Sequence, residues 1–136
     1  MIYEFEVEGK VVGKQRPRVN MNTGMVYTPN KTKDYEYLVQ QSFKLKYPRF
    51  QEITGRVGIE IIAYIEIPKS TPKKDTEKML GGEISPTKKP DIDNIAKSLL
   101  DAMNNFVFHD DNAVSKITVE KKYSLEDKTY IKVYEY

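Results

Sequence analysis

The stretch RVGIEIIAYIEI, residues 56–67, carries the strongest strand pattern in the chain. Its apolar residues alternate, so one face of an extended strand would hold Val57, Ile59, Ile61, Ala63, Ile65 and Ile67. Ile62 and Tyr64 make the opposite face partly apolar as well. Two apolar faces are typical of the middle of a sheet, and we expect this strand to be central and covered on both sides.

Two segments on the N-terminal side are also predicted to be β-structure. Residues 2–8 alternate between apolar and acidic side chains, which predicts a half-buried strand with one face in water. The inward residues would be Tyr3, Phe5 and Val7, and the outward ones Glu4, Glu6 and Glu8. Residues 19–27, VNMNTGMVY, place the turn signal Asn22-Thr23-Gly24 between two short β-prone pieces and predict a small hairpin.

Two segments have helical periodicity. Residues 28–48 begin with a capping Thr28 and with Pro29 at the first helical position, and they end at Pro48. The predicted inward stripe of this helix is Tyr35, Leu38, Val39, Ser42 and Phe43. Residues 91–105, DIDNIAKSLLDAMNN, form the second helix, whose predicted core stripe is Ile92, Ile95, Leu99 and Met103.

The remaining segments complete the predicted fold. Residues 113–124 and 128–136 alternate as strands and predict a C-terminal hairpin with its turn near residues 125–127. Residues 68–90 form a long loop rich in lysine and proline, with one helical turn near residues 76–80. We therefore predict a single compact α/β or α+β domain over residues 1–136, with two main helices on a mixed or mostly antiparallel sheet.

Composition excludes several classes of protein. The chain has 136 residues, 39% of them apolar, with five Phe and ten Tyr, which argues against intrinsic disorder. No Cys is present and His109 is the single histidine, which excludes disulfides, thiolate metal sites and a poly-histidine zinc site within one chain. No apolar run has membrane-spanning length and residues 1–10 do not resemble a signal peptide, so we expect a cytosolic protein.

Charge is segregated along the chain although the net charge is only +2. Residues 10–33 hold six cations and no acid (+6), and residues 68–90 hold six Lys and three acids (+3). Residues 91–111 hold five Asp and one Lys (−4). This division suits a protein that holds a polyanion near bound metal, although an ordinary surface with uneven charge is the alternative.

The acidic segment is the candidate site. Asp91 and Asp93 are placed as the cap and first turn of a helix, where carboxylates also occur for structural reasons alone. We expect the apolar return at residues 106–109 to bring Asp110 and Asp111 back beside the helix start, so that Asp111 completes a three-carboxylate site with Asp91 and Asp93. A solvated turn before a strand is the alternative for the Asp110–Asp111 pair.

Three carboxylates suit Mg²⁺ or Mn²⁺, which can activate water and stabilise the leaving oxygen in phosphoryl displacement. Lys97 lies four residues after Asp93 on the same helix face, where its charge could hold a scissile phosphate. A calcium loop is excluded because Ile95, Ala96 and Ala102 occupy positions that need a ligand, Gly and Glu. His109 is interpreted as a surface or packed residue.

These features together resemble the RusA family of crossover junction endodeoxyribonucleases. The similarity consists of the Asp-X-Asp-Asn start, the lysine four residues later, Asp-Ala in mid-helix, an aromatic return and Asp-Asp before a strand. Upstream, GKQRPRV at residues 13–19 and VYTPNKTKDYE at residues 26–36 are similar to the N-terminal signatures of that family. The resemblance covers about residues 7–123 and implies a RusA-like fold.

The family resemblance implies a homodimeric, Mg²⁺-dependent endonuclease, with Mn²⁺ as a substitute, that cuts four-way DNA junctions symmetrically. It implies that Asp91, Asp93 and Asp111 are metal-binding catalytic acids and that Lys97 is the essential lysine. It also implies a role in recombination and repair, with a possible prophage origin. Separately, the acidic segment has no Walker lysine or Gly-rich phosphate loop and the chain has no apolar run of membrane-spanning length, so we expect neither a nucleotide cofactor nor a membrane partner. It assigns no role to residues 68–90.

Basic residues near the acidic segment are the predicted DNA contacts. They are Lys14, Arg16, Arg18, Lys31, Lys33, Lys88 and Lys89, which would bind phosphates without reading sequence. Some of them are expected to be merely solvated charges. Two other functions are compatible with the sequence: a catalytically inactive module that binds junction DNA, and a nuclease for flaps or other branched nucleic acid.

Overall fold

The computed structural model describes residues 1–27 and 29–136. In chain order its elements are β1 (Ile2–Glu8), β2 (Arg18–Val19), β3 (Val26–Tyr27), α1 (Asn30–Lys46), β4 (Val57–Glu66), α2 (Lys73–Leu80), α3 (Ile92–Met103), a 3₁₀ turn (Asp111–Ala113), β5 (Val114–Ser124) and β6 (Lys128–Glu135). The predicted α+β class and the small hairpin, formed by β2 and β3, are confirmed.

The main sheet has four strands in the order β1-β6-β4-β5. Strand β6 is antiparallel to both β1 and β4, whereas β5 runs parallel to β4, so the sheet is mixed. The predicted central place of β4 is confirmed. On its inner face Val57, Ile59, Ile61 and Ala63 are buried. On the other face Ile62 and Tyr64 are only half-buried.

The predicted C-terminal hairpin is wrong. Strands β5 and β6 do not pair with each other, because β4 lies between them and bonds to both. The short connection between them crosses the end of β4 and is held there: the Glu66 N–H donates to the Asp127 carboxylate (2.8 Å) and the Ile67 N–H to the Ser124 carbonyl (3.0 Å). The backbone hydrogen-bonding groups on both edges of β4 are thus paired, with β5 on one side and β6 on the other.

Helices α1 and α3 pack against each other and close the core over one face of the sheet. The buried side of α1 is Thr32, Tyr35, Val39 and Phe43, so Tyr35, Val39 and Phe43 were predicted correctly, whereas Leu38 is exposed and Ser42 is only half-buried. In α3, Ile95, Leu99 and Met103 are buried as predicted, but Ile92 is exposed and Ser98 and Ala102 are buried instead.

Two helix boundaries differ slightly from the prediction. Pro29 occupies the capping position of α1 rather than its first helical position, and Thr28, the predicted cap, lies outside the described residues. The turn expected near residues 76–80 is the longer helix α2, within the lysine-rich segment. No helix in residues 1–27 and 29–136 has both the length and the apolar character needed to cross a membrane.

Candidate active site on the acidic helix

Helix α3 begins with two exposed carboxylates. Asp91 occupies the capping position in an extended conformation, but its side chain makes no capping hydrogen bond, and Asp93 lies in the first turn. The positive end of the helix dipole favours anions at both positions. Because the Asp91 carboxylate is not used by its own helix, its oxygens are available to bind something else.

Three charged side chains share one face of α3 at four-residue intervals: Asp93, Lys97 and Asp101, all exposed. The row covers roughly 12 Å of helix, since each residue adds about 1.5 Å. It runs from the helix start, where the predicted metal ligands lie, to the last turn. The acid at its far end, Asp101, was not among the predicted site residues.

Asp111 lies at the other end of this helix from Asp91 and Asp93. Its backbone N–H donates to the Asn104 side-chain oxygen (3.0 Å), and Asn104 is the residue that ends α3. The axial separation between Asp93 and Asn104 is roughly 16 Å at the usual helical rise. From the sequence we expected the chain return to bring Asp111 back beside the helix start. The structure instead places Asp111 at the end of the helix.

The direction of the return is set by Ile53, which lies outside the acidic segment. Phe108 forms bridges with both Ile53 and Asn104, the Ile53 N–H donates to the Val107 carbonyl (2.9 Å), and the His109 N–H donates to the Ile53 carbonyl (3.3 Å). Asn105 has a φ of +57° that lets the chain turn sharply after α3. These contacts hold the return against the C-terminal end of the helix.

Acids crowd at this end of the helix. The pKa of Asp111 is raised, first by the hydrogen bond that it shares with the Asp110 carboxyl, then by desolvation and by the negative charges of Asp110 and Asp101. The pKa of Asp110 is lowered, mainly because its carboxylate accepts the Asn112 backbone N–H. The acids whose charges act on Asp111 are thus Asp110 and Asp101, neither of which was a predicted site residue.

A closed metal site is not assembled by these acids. Among the residues that the structure describes, no three His, Cys, Asp or Glu side chains lie close enough together to hold an ion. The oxygen donors fit a hard divalent cation chemically, but the predicted three-acid geometry is absent from the described part of the single chain. The metal-binding role of Asp91, Asp93 and Asp111 stays a prediction.

The basic N-terminal segment, residues 10–33, contacts α3 directly through Lys14. The Lys14 N–H donates to the Asn94 carbonyl (2.9 Å), and the Lys14 ammonium forms ion pairs with Asp101 (2.9 Å) and Glu36 (3.0 Å). Desolvation lowers the pKa of Lys14, but the hydrogen bonds and charges of Asp101 and Glu36 outweigh it and leave that pKa raised. Lys14, predicted as a DNA contact, is thus engaged within the protein and joins this segment to both helices.

The other predicted DNA contacts are exposed, namely Arg16, Arg18, Lys31, Lys33, Lys88 and Lys89. Lys31 and Lys33 lie in the first turn of α1, and Lys88 and Lys89 immediately precede α3. The Lys121 ammonium donates to the carbonyls of Lys88 (2.9 Å) and Pro90 (3.3 Å), which fixes this approach to the acidic helix start. Basic side chains therefore lie at the start of both helices of the core.

Comparison with known proteins identifies the family of this chain. The family model described as "Endodeoxyribonuclease RusA" matches residues 8–134, which include α3, the docked N-terminal segment, β4, β5 and nearly all of β6. An uncharacterized protein of Bacillus subtilis (strain 168), YqaN, is 35% identical over 136 residues, which cover 97% of this chain and 95% of that protein. This chain belongs to the RusA family of endodeoxyribonucleases.

Proposed function

We propose that this protein is a metal-dependent, structure-selective endonuclease that resolves four-way DNA junctions by paired, symmetric cleavage. The observation that carries the proposal is the exposed Asp93–Lys97 row of α3, in a chain of the RusA family, with a basic segment docked beside the helix start. A carboxylate–lysine row suits phosphodiester hydrolysis, and the flanking cations suit a polyanionic substrate.

Asp91 and Asp93 are proposed to hold Mg²⁺, with Mn²⁺ as a substitute. In the described part of the chain neither carboxylate takes part in an ion pair, whereas Asp101 is neutralised by Lys14. Mg²⁺ typically uses only one or two protein carboxylates and completes its shell with water and substrate phosphate, so these two acids are a sufficient protein contribution. When bound, the ion would supply an activated water. The family resemblance also implies a catalytic, metal-binding role for Asp111, although within one chain Asp111 lies at the opposite end of α3 from Asp91 and Asp93.

Lys97 is proposed to bind the scissile phosphate. It lies one helical turn beyond Asp93 on the same exposed face, so its ammonium can reach a phosphate held at the helix start. A fixed positive charge there stabilises the extra negative charge of the pentavalent transition state more than that of the ground state. Lys97 thus acts on the rate of cleavage rather than on affinity alone.

The proposed partner is branched DNA bound by two copies of the chain. Symmetric cleavage of two strands requires two active sites related by a two-fold axis, which a homodimer provides. Arg16, Arg18, the lysines in the first turn of α1 and those that precede α3 would contact phosphates. The cellular role that we propose is recombination and repair in the cytosol, with a possible prophage origin.

The proposal is tested with a synthetic immobile four-way junction, labelled on each strand in turn, in Mg²⁺ and Mn²⁺ titrations. We expect paired nicks in opposite strands from the wild type and none from Asp91→Asn, Asp93→Asn or Asp111→Asn. The matched control is Asp75→Asn, which removes an acid from the first turn of α2 and should cleave normally.

Binding separates a catalytic role from a structural one. The three inactive variants should bind the junction as well as the wild type or better, because a repulsive charge is removed near the phosphates. A loss of more than about tenfold in affinity, roughly 1.4 kcal/mol, would show that these acids are structural. Parallel assays on flap, linear duplex and RNA substrates identify a nuclease with a different substrate, and binding without cleavage identifies an inactive module.

A further inference from the structure

A β-arm, which we define as residues 18–27, exposes apolar side chains that the core does not use. Strands β2 and β3 pair only with each other, Arg18 with Tyr27 and Val19 with Val26, and form a sheet separate from the main one. Met21 is 93% exposed, Met25 67%, Val26 65% and Val19 53%. A concentration of exposed apolar groups on one small projection marks an interaction site rather than a packing site.

The tip of the β-arm is ordered by hydrogen bonds of its own. Within the main chain, the Asn20 N–H donates to the Met25 carbonyl (2.8 Å) and the Gly24 N–H to the Asn20 carbonyl (2.7 Å). The Asn20 side-chain oxygen accepts the N–H groups of Asn22 (2.9 Å) and Thr23 (3.3 Å), and Gly24 has a φ of +71° that suits the turn. The two methionines are therefore presented by a preorganised turn, which limits the entropy lost on binding.

The charge around the β-arm points to a polyanion. Residues 10–33 contain six cations and no acid, so basic residues both precede and follow the arm. The arm is also close to the candidate site, because Lys14 is bonded to Asn94 at the start of α3. Arg18 follows Lys14 by four residues, which span at most about 14 Å even when fully extended.

We propose that the β-arm binds the exposed base faces at the branch point of DNA, with Met21 and Met25 as its contacts. The inference rests on the proposed function and assigns a second binding element to it. In continuous duplex the base faces are stacked and closed, whereas a branch point leaves a step that an apolar wedge can enter. Methionine adapts its shape to such a surface, and the flanking arginines and lysines would hold the adjacent phosphates. A second copy of the arm is a poor partner, since Arg18 and the basic residues on either side of the arm would face like charges.

The test compares the wild type with the double variant Met21→Ser/Met25→Ser. Dissociation constants are measured by fluorescence anisotropy, without divalent metal, for a four-way junction and a linear duplex of the same length. 2-Aminopurine at the branch point reports unstacking. Leu45→Ser is the matched control, because Leu45 is 84% exposed on α1 and far from the arm in sequence. Met21→Leu/Met25→Leu keeps the apolar surface and should behave as the wild type.

We expect the serine variant to bind the junction about tenfold more weakly, equivalent to roughly 1.4 kcal/mol, and to bind duplex unchanged. Its 2-aminopurine signal should be lost, while the salt dependence of junction binding stays that of the wild type, since no charge is removed. Arg18→Ala should instead reduce the slope of log affinity against log salt by about one.

Three results would overturn the role of the β-arm alone: unchanged junction preference in the serine variant, equal weakening on both substrates, or a changed oligomeric state. The last result would identify a second copy as the partner. A wild type that shows no preference for the junction over duplex would overturn the proposed function, and the inference with it.

Discussion

Gly13→Ala tests whether the basic segment is docked on the acidic helix as closely as the structure shows. A Cβ atom at Gly13 would lie 2.7 Å from the Cβ of Pro90 and 3.1 Å from the Cβ of Asn94. Both neighbouring atoms are attached directly to the backbone, so neither can rotate away. The substitution must push apart Gly13 and the start of α3, which also strains the hydrogen bond from Lys14 to the Asn94 carbonyl.

The expected cost follows from these contacts. Forcing one methyl group into a packed site costs about 1–3 kcal/mol, and alanine recovers about 0.4–1 kcal/mol by restricting the unfolded chain. The free energy of unfolding should therefore fall by about 0–2.6 kcal/mol, and the melting temperature by roughly 3–5 °C for each kcal/mol. Cleavage should fall further, by up to roughly a hundredfold, because Asp91 and Asp93 move with the helix start.

Gly55→Ala is the matched control. A Cβ at Gly55 would also be too close to a neighbour, but its nearest contact is the carboxylate of Glu135, the far end of an exposed and flexible side chain. That side chain can move at little cost. We would measure urea unfolding and junction cleavage for both variants. If Gly13→Ala proves as stable and as active as Gly55→Ala, the close docking of the segment on α3 is refuted.

Three further substitutions test other parts of the account. Lys14→Met should lower the free energy of unfolding by about 1 kcal/mol more than Lys122→Met, whose ion pair is on the open surface. The pKa of Lys14 is raised above its ordinary value of 10.5, so the difference in stability between the two variants should be complete at neutral pH. It should vanish as the pH rises well beyond 10.5 and Lys14 loses its charge. A difference in stability that does not depend on pH would contradict the ion-pair explanation. Asn104→Ala removes the acceptor of the Asp111 N–H, so cleavage should slow about tenfold, while the free energy of unfolding falls by no more than about 1.5 kcal/mol. An unchanged cleavage rate would show that this hydrogen bond does not position Asp111 for cleavage. Asp111→Asn should melt at the same temperature as the wild type or higher at neutral pH. The reason is that the hydrogen bond with the Asp110 carboxyl, desolvation and the charges of Asp110 and Asp101 raise the pKa of Asp111 and oppose its ionised form; a clear fall would mark Asp111 as structural.

The elements that depend on local periodicity were predictable from sequence. Alternation in residues 2–8 and 57–65 identified the buried faces of β1 and β4, because a pleated strand turns every second side chain to the same side. The spacing of Ile95, Leu99 and Met103 likewise identified the buried face of α3. These patterns involve one element at a time, and packing against the rest of the fold changed them only at single positions such as Leu38 and Ile92, which are exposed.

Pairing between distant residues was not predictable in the same way. Strands β5 and β6 look like a hairpin because three residues separate them, but β4, more than fifty residues earlier in the chain, is the partner of both. The sequence predicts Lys14 to be a DNA contact, but in the structure Lys14 forms ion pairs with Glu36 and Asp101. The position of Asp111 depends on Ile53, which no pattern in the acidic segment reveals.

The candidate site shows the same division. The composition and spacing of Asp93 and Lys97, with Asp91 at the cap, were enough to locate the exposed charged face of α3, since residues four apart on a helix share a side. Their relation to Asp111 depends on how the chain returns after Met103, which is a property of the packed structure. The helix was therefore identified from sequence, whereas the spatial arrangement of its acids was not.

The central claim is that the acidic face of α3 cleaves branched DNA. Its most direct test is the cleavage of an immobile four-way junction by the wild type and by Asp93→Asn, with Mg²⁺ and with EDTA. We expect paired nicks in opposite strands from the wild type only, and only with the metal. Absence of nicks from the wild type, or equal cleavage by Asp93→Asn, would contradict this claim.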